Sequence, residues 1–254
     1  MRLPSFSLSG HVVVVTGASR GIGKALAIGF SLAGAIVVLA GRDIEALEKT
    51  ADEIGVRKGR GSCQIMDVSS VASIDAGMAQ IAAKFGHIDI LVNNAGVEHV
   101  RPAIDIDEAH WDKIVDTNLK GAFFCARAAV RHMKKDGGSI LNLCSIASEV
   151  GIPTAVPYCT SKTGLAGMTR ALATEWAPLG IRVNGIGPGY FRTEMTDGFF
   201  ADEVWESSTL DKIPLRRFGR MEDLMGTAVF LSSPAGGYIT GQVIYVDGGL
   251  LAAF

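Results

Sequence analysis

Short apolar runs alternate with stretches of helical periodicity along almost the whole chain. Residues 12–15 are four valines in a row, a pattern typical of a strand that is buried on both faces. The predicted strands are residues 12–15, 35–40, 63–66, 88–92, 140–143, 181–186 and 243–246. Helices are predicted after the first two strands and over residues 71–85, 107–133 (one helix, or two joined near Asn118), 157–176 and 221–231. Repeated βα units of this kind predict an α/β fold, a doubly wound parallel sheet of about seven strands with helices on both faces.

One long segment interrupts this alternation. Residues 189–215 contain glycine, proline and aromatic residues without a clear period, so we expect an irregular and mobile lid there. The chain has no internal repeat and no linker rich in glycine, serine or proline. We therefore expect residues 1–254 to form a single domain.

Composition excludes several classes of function. The chain has 254 residues, 48% of them hydrophobic, and a net charge of −2 without a basic run, which gives no indication of nucleic-acid binding. No apolar run reaches the roughly 18 residues of a membrane span, and no signal peptide is apparent, so we expect no membrane partner. The four cysteines lack C-x-x-C spacing, which favours reduced thiols in a cytoplasmic protein. No histidines are spaced as metal ligands, so no metal is predicted.

Three glycines follow the first strand at the spacing G-x-x-x-G-x-G, from Gly17 to Gly23. A strand that turns sharply into a helix leaves free N–H groups at the helix start, where the helix dipole favours a phosphate. Glycine permits both the tight turn and the close approach of a pyrophosphate. The pattern therefore predicts dinucleotide binding on a Rossmann-type sheet; packing glycines at an ordinary strand–helix junction are the alternative.

Other candidate site residues also lie just past the ends of predicted strands: Asp67, Asn93-Asn94-Ala95-Gly96, Ser145 and Pro188-Gly189. Because ligands of such sheets bind outside the carboxyl ends of the strands, we expect these residues to converge on one edge.

The second strand bears on the choice of cofactor. It ends at Gly41 and is followed by Arg42, so no carboxylate stands where an acidic residue would hold the ribose of NAD. Guanidinium groups of Arg42 and Arg20 would suit the 2′-phosphate of NADP, which we therefore favour. The alternative is that Asp43 holds the ribose of NAD, although Asp43 is also well placed to cap the next helix. Asp67 either accepts from the adenine amine or only starts a turn with Ser69.

Tyr158 and Lys162 stand four residues apart in a predicted helix and so share one face. A nearby ammonium and a nicotinium ring would lower the pKa of the phenol, which suits acid–base catalysis near neutral pH. The Ser145 hydroxyl could hold a substrate oxygen against Tyr158. Asparagine is disfavoured in the interior of a helix, so Asn118 marks either a kink or a polar group that faces the site.

Together these elements resemble the short-chain dehydrogenase/reductase family over essentially the whole chain. The matching positions are Thr16-Gly17-x-x-x-Gly21-Ile22-Gly23, Asn93-Asn94-Ala95-Gly96, Asn118, Ser145, Tyr158-x-x-x-Lys162, Pro188-Gly189 and Thr193.

The resemblance implies reversible hydride transfer between a nicotinamide and an alcohol or carbonyl. It implies that Tyr158 is the general acid and base, that Lys162 holds the nicotinamide ribose, that Ser145 polarises the carbonyl and that Asn118 supports a proton-carrying water. The cofactor-binding residues that it and the strand ends imply are Gly17, Ser19, Arg20, Gly21, Ile22, Gly23, Arg42, Asp67, Val68, Asn94, Ala95, Gly96, Tyr158, Lys162, Pro188, Gly189 and Thr193. The family's usual homotetramer is also implied, and small residues on the Tyr158 helix (Gly164, Ala166, Gly167, Ala171, Ala173) suit close helix contact between subunits or within one.

Within the family, residues 187–195, 226–232 and 244–249 resemble the gluconate 5-dehydrogenase branch, which acts on sugar acids. Loop residues that could face such a substrate are Glu98, Arg101, Glu149 and Tyr190. The competing expectation is a 3-oxoacyl-[acyl-carrier-protein] reductase, for which Arg127, Arg131 and Arg170 could supply a basic surface. A non-catalytic NADP-binding regulator is the remaining alternative.

Overall fold

The computed structural model describes residues 2–56, 60–135, 137–194 and 196–253. The strands within these residues are β1 Val12–Thr16, β2 Ile36–Gly41, β3 Arg60–Ile65, β4 Ile90–Asn93, β5 Gly138–Leu143, β6 Ile181–Pro188 and β7 Val243–Val246. They form one seven-stranded sheet of order β3-β2-β1-β4-β5-β6-β7, and every pair is parallel. The predicted fold class is thereby confirmed.

The helices cover both faces of the sheet. Among the described residues they are α1 Gly21–Leu32, α2 Ile44–Val56, α3 Val71–Phe85, α4 Glu108–Val115, α5 Gly121–Val130, α6 Val156–Trp176, α7 Asp197–Phe200, α8 Glu203–Lys212 and α9 Met221–Ser232. None of them combines the length and the apolar character that crossing a bilayer requires.

The four valines of β1 show why the sheet is buried on both sides. Val13 and Val15 pack in the core with α1, α2 and α9, whereas Val12 and Val14 pack in the core with α3, α5 and α6. Successive side chains of a strand point to opposite faces, so an unbroken apolar run is required when helices cover both. The strand order reverses at β1, which lies between β2 and β4, and opens a crevice at the carboxyl edge there.

Several strand bounds differ from the predictions, among them those of the third and fourth strands. The third strand begins at Arg60 rather than at residue 63, because its pairing with β2 extends a polar, weakly patterned stretch. The fourth begins at Ile90 rather than at residue 88, and Ile88 instead forms an isolated bridge with Met133.

The segment predicted as one helix or two is two helices. A π-helical turn, Asp116–Lys120, joins α4 to α5 and contains Asn118. A π turn inserts one extra residue per turn, which displaces the two helices relative to each other.

The segment predicted as an irregular lid contains two helices, α7 and α8, so that part of the expectation is wrong. Asp202 caps α8 by accepting from Val204 N at 2.9 Å and Trp205 N at 3.1 Å. Trp205 then packs edge-on against Tyr190 and Phe200, with ring centroids 5.3 Å apart in each case. Tertiary aromatic contacts therefore support a helix that has no apolar stripe of its own, and the mobility of this segment stays a prediction.

Candidate active site

The glycine turn after β1 has the backbone that a phosphate site needs. Gly17 and Gly21 have φ of +63° and +54°, and a Cβ at Gly23 would overlap the Gly17 carbonyl oxygen. Arg20, at the N-cap of α1, makes no side-chain cap, and the first turn of α1 holds no acidic residue. The N–H groups at the start of α1 are therefore available to an anion, so this turn fits a dinucleotide pyrophosphate.

A network from β4 holds the turn in this shape. The Thr16 hydroxyl accepts from Asn94 N and Ala95 N, both at 3.0 Å. The Asn94 side-chain amide donates to the carbonyls of Thr16 at 2.9 Å and Gly17 at 3.1 Å. Asn94 thus fixes the glycine turn. Thr16, a position of the family pattern that had no predicted role, is the residue that Asn94 bonds in doing so.

Two charged residues follow β2, Arg42 and Asp43, and the structure shows what Asp43 does. The Asp43 carboxylate accepts from Ala46 N at 3.1 Å and so caps α2, as predicted. Arg42 is exposed beside it, directly after the end of β2. Arg20, the second predicted phosphate ligand, forms an ion pair with Glu194 at 2.9 Å.

Asp67 makes the turn that was one of its two predicted roles. Its Oδ1 accepts from the backbone N–H and the hydroxyl of Ser69, at 2.9 and 2.8 Å. Burial acts to raise the pKa of Asp67, but the hydrogen bonds from Ser69 outweigh it and hold that pKa below its usual value. The neighbouring Val68 carbonyl packs against Gly121 at the start of α5.

The other residues predicted at the cofactor lie at the same edge. Ile22 packs on the core from the start of α1, and the Ser19 carbonyl accepts from Thr50 Oγ1 at 3.3 Å. Pro188 ends β6, and Gly189 N donates to Val246 O at 3.0 Å. The Thr193 side chain lies over Gly21, 3.7 Å from the position of a Cβ there. The lid therefore touches the glycine turn.

Helix α6 presents Tyr158 and Lys162 one turn apart, beyond the carboxyl end of β5. Lys162 is buried, and its Nζ donates to the Leu143 carbonyl at 2.5 Å and lies 5.5 Å from the centroid of the Tyr158 ring. Burial lowers the pKa of Lys162, against the opposing effect of Cys144 and Glu98. The amine is thus fixed by a backbone carbonyl close to the phenol.

The pKa of Tyr158 departs from the expectation drawn from the sequence. Burial raises this pKa, the charge of Glu98 raises it further, and only the hydrogen bond with Ser145 lowers it. In this structure burial of the phenol therefore outweighs the lowering of its pKa that was expected from the neighbouring ammonium.

Ser145 lies just past the end of β5, with its side chain toward Tyr158. It caps a 3₁₀ turn, Ile146–Ser148, and its Oγ accepts from Ala147 N at 3.1 Å. The Ser148 hydroxyl donates to the Lys162 carbonyl at 2.9 Å, which ties this turn to α6. The turn that begins at Ser145 is therefore fixed against the helix that carries Tyr158 and Lys162.

Asn118 is buried in the π turn and faces the site. Its Oδ1 accepts from Val97 N at 2.8 Å, and its Nδ2 donates to Val97 O at 2.9 Å and to Ser161 Oγ at 3.2 Å. Ser161 in turn donates to the Tyr158 carbonyl at 2.7 Å. The amide thus links the loop after β4 to α6; Ser161 was not predicted, because a serine inside a helix carries no distinctive signal.

The predicted substrate residues divide into two groups. Glu98 is half-buried near Tyr158 and Tyr190, whose pKa values burial and the Glu98 charge both raise. Arg101 instead donates to Asp107 at 3.1 Å, and Glu149 accepts from the Tyr245 hydroxyl at 2.6 Å. Sequence reasoning missed these two partners.

Two further candidate groups, the Cys144 thiol and the Arg127 guanidinium, are engaged or buried within the fold. Burial raises the pKa of Cys144 to about 11, which keeps the thiol protonated near neutral pH. Arg127, proposed above as part of a basic surface, donates twice to Asp75 at 3.1 Å and stacks on Phe124. No group of three or more potential metal ligands occurs in the described part of the chain.

Comparisons with known proteins agree with this geometry. A family model described as Enoyl-(Acyl carrier protein) reductase matches residues 17–251. The chain is 42% identical over 246 residues to a gluconate 5-dehydrogenase of Gluconobacter oxydans, covering 96% of each chain. It is 41% identical to a 2-dehydro-3-deoxy-D-gluconate 5-dehydrogenase of Escherichia coli, covering 99% of this chain and 100% of that one.

A solved structure is similar throughout. It is the gluconate 5-dehydrogenase of Burkholderia cenocepacia in complex with NADP and tartrate, 36% identical, with a TM-score of 0.96 and 99% of each chain covered. The glycine turn, the Ser145–Tyr158–Lys162 unit and these full-length similarities together show that this chain is an oxidoreductase of the short-chain dehydrogenase/reductase family.

Proposed function

We propose that the protein interconverts a secondary alcohol and a ketone of a gluconate-type sugar acid, with NADP as cofactor. The observation that supports it is the convergence of Tyr158, Lys162 and Ser145 on the sheet edge that also carries the glycine turn. A phosphate cradle and an acid–base group at one edge are what a nicotinamide-dependent reaction requires.

In this proposal each side chain has one task. Ser145 donates to the substrate oxygen, and Tyr158 protonates that oxygen in reduction or takes its proton in oxidation. Lys162 holds the nicotinamide ribose and, with Asn118, supports the path by which the proton is replaced. The bound nicotinamide supplies the hydride, and its oxidised ring adds the positive charge that favours the phenolate. Burial around Tyr158 keeps competing water from the reacting oxygen.

Cofactor preference follows from the end of β2. Asp43 is occupied as the cap of α2, and Arg42 is exposed where a 2′-phosphate would lie. A guanidinium can bind a phosphate through two charge-assisted hydrogen bonds. The bound NADP of the Burkholderia cenocepacia structure supports the same choice.

The substrate class rests on the relatives and on the polarity of the cleft. Both curated relatives are named for gluconate-type substrates. Glu98 and Tyr190 supply hydrogen-bonding groups beside Tyr158, as a polyhydroxylated substrate requires. Arg101 is engaged by Asp107, so it meets a substrate carboxylate only if that ion pair opens.

Initial rates with 5-ketogluconate, an acetoacetyl thioester and cyclohexanone, each with NADPH and NADH, test the proposal. We expect the highest kcat/KM with 5-ketogluconate and NADPH. A preference for the thioester would instead favour the acyl-reductase alternative, although the ion pair of Arg127 with Asp75 leaves only Arg131 and Arg170 for a carrier protein. No oxidation of NADPH by any carbonyl would favour a non-catalytic regulator.

Assembly and location belong to the same proposal. On α6, Gly164 packs on Leu119 and Ala166 and Ala173 are buried within the subunit, whereas Gly167 and Ala171 face outward. The outward pair supports close contact with a second copy, in a homotetramer. All four cysteines are free, which supports a reducing, cytoplasmic location. Light scattering after size exclusion measures the oligomer.

A further inference from the structure

Glu98 is a half-buried carboxylate that has no partner among the described residues. In the described part of the chain no N–H or hydroxyl donates a hydrogen bond to it, and no cation forms an ion pair with it. Burial raises the pKa of Glu98, and the charge of Lys162 only partly opposes this effect. Removing a carboxylate from water without a donor is costly, so such a group calls for a ligand that supplies one.

The backbone that carries Glu98 is fixed. Both polar atoms of the preceding residue, Val97, are bonded to the buried amide of Asn118, at 2.8 and 2.9 Å. Gly96 lies against the same amide, since a Cβ there would be 3.3 Å from Asn118 Oδ1. The backbone that leads into Glu98 is therefore preorganised.

The surroundings of Glu98 identify the cleft that it faces. Its charge acts on Tyr158 from α6, on Tyr190 from the segment after β6 and on Lys162. Tyr158 is the group that the proposed function puts next to the reacting carbonyl. The acceptor thus stands beside the reaction centre, where a second oxygen of the substrate would be.

We propose that Glu98 accepts a hydrogen bond from a substrate hydroxyl adjacent to the reacting carbonyl and thereby selects hydroxylated ketones over plain ones. The same negative charge places the carboxylate of a sugar acid at the far end of the cleft. The inference rests on the proposed function in one respect, the position of the reacting carbonyl next to Tyr158. A site built to bind a hydroxyl rejects analogues that lack it, because the buried acceptor is then left unpaired.

The test uses two neutral ketones, 1-hydroxy-2-butanone and 2-butanone, which differ by one hydroxyl and carry no carboxylate. With NADPH we expect wild-type kcat/KM to favour the hydroxylated ketone by about 10-fold or more, the size of a hydrogen bond to a charged group. Glu98→Leu should abolish the preference, and Glu98→Gln, which keeps the size and polarity of the side chain, should reduce it. The control is Glu108→Leu, on the exposed first turn of α4, which should keep it.

The inference is overturned if the wild type shows no preference, or if Glu98→Leu keeps the wild-type ratio. A second readout is the titration of Tyr158, measured by ultraviolet absorbance against Tyr158→Phe. The charged and titratable groups facing this phenol are Glu98, Lys162, Cys144 and Cys159. Removing the Glu98 charge should lower the pKa of Tyr158, which a purely structural role would not do. Lack of turnover of 5-ketogluconate with the hydroxyl preference intact would instead overturn only the sugar-acid proposal.

Discussion

Asn118 binds Val97 through both atoms of its amide, accepting from the Val97 N–H at 2.8 Å and donating to the Val97 carbonyl at 2.9 Å. The two residues lie on different elements, the π turn between α4 and α5 and the loop after β4. The amide side chain bonds the backbone N–H and carbonyl of Val97, as a neighbouring strand would in a β-sheet, and so satisfies both backbone groups. It thereby fixes the segment that carries Glu98 next to Tyr158.

Asn118→Ala should therefore reduce both stability and activity. The variant leaves two partly buried backbone groups of Val97 unpaired, and we expect the free energy of unfolding to fall by about 2 kcal/mol. Urea denaturation measures this change, and kcat/KM should fall as well. The control is Thr117→Ala in the same turn, which removes only an exposed hydrogen bond to the Lys113 carbonyl and should stay close to the wild type. Equal loss in both variants would contradict a specific role for the amide.

Tyr158→Phe should abolish turnover and leave cofactor affinity nearly unchanged. The change removes one hydroxyl, the proposed proton donor, and we expect kcat to fall by about 100-fold or more. Fluorescence titration with NADPH checks binding, and steady-state rates check turnover. Tyr238→Phe, at a fully exposed position, should behave as the wild type. Substantial residual activity would assign the proton to another group.

Arg42→Ala should weaken NADP binding far more than NAD binding. The two cofactors differ by the 2′-phosphate alone, and loss of a charge-assisted contact should raise the Kd for NADP by about 10- to 100-fold. Calorimetric titration with both cofactors measures the ratio. Lys49→Ala, an exposed cation on α2, is the matched control. Equal weakening of both cofactors would refute the phosphate assignment.

Asp223 should contribute stability that is lost in acid. Hydrogen bonds from Arg217, at 2.6 and 3.1 Å, and from Arg220 N lower the pKa of Asp223 to about 2. Because the folded pKa lies below the unfolded value near 4, the contribution is present above pH 4 and is lost as the pH falls toward 2. The difference in urea midpoint between wild type and Asp223→Asn should therefore shrink over this interval. A difference that stays constant over the same interval would contradict a lowered pKa of Asp223 in the folded state.

Local patterns were sufficient for much of the fold and for the reacting groups. The valine run of β1 required helices on both faces, the three glycines specified the turn, and the Asp43 cap was confirmed. Tyr158 and Lys162 share a face because the helical repeat alone puts residues four apart together. These features depend on backbone geometry over a few consecutive residues, so they can be predicted from the local sequence alone.

The tertiary structure decided which charged and polar groups remain free for a ligand. Arg101 and Glu149, both expected at the substrate, are engaged by Asp107 and by Tyr245, the latter 96 residues away. Glu98, in the same loop as Arg101, has no partner among the described residues. Residue type and spacing cannot distinguish the three, because a side chain's hydrogen bonds depend on how separate βα units pack against one another.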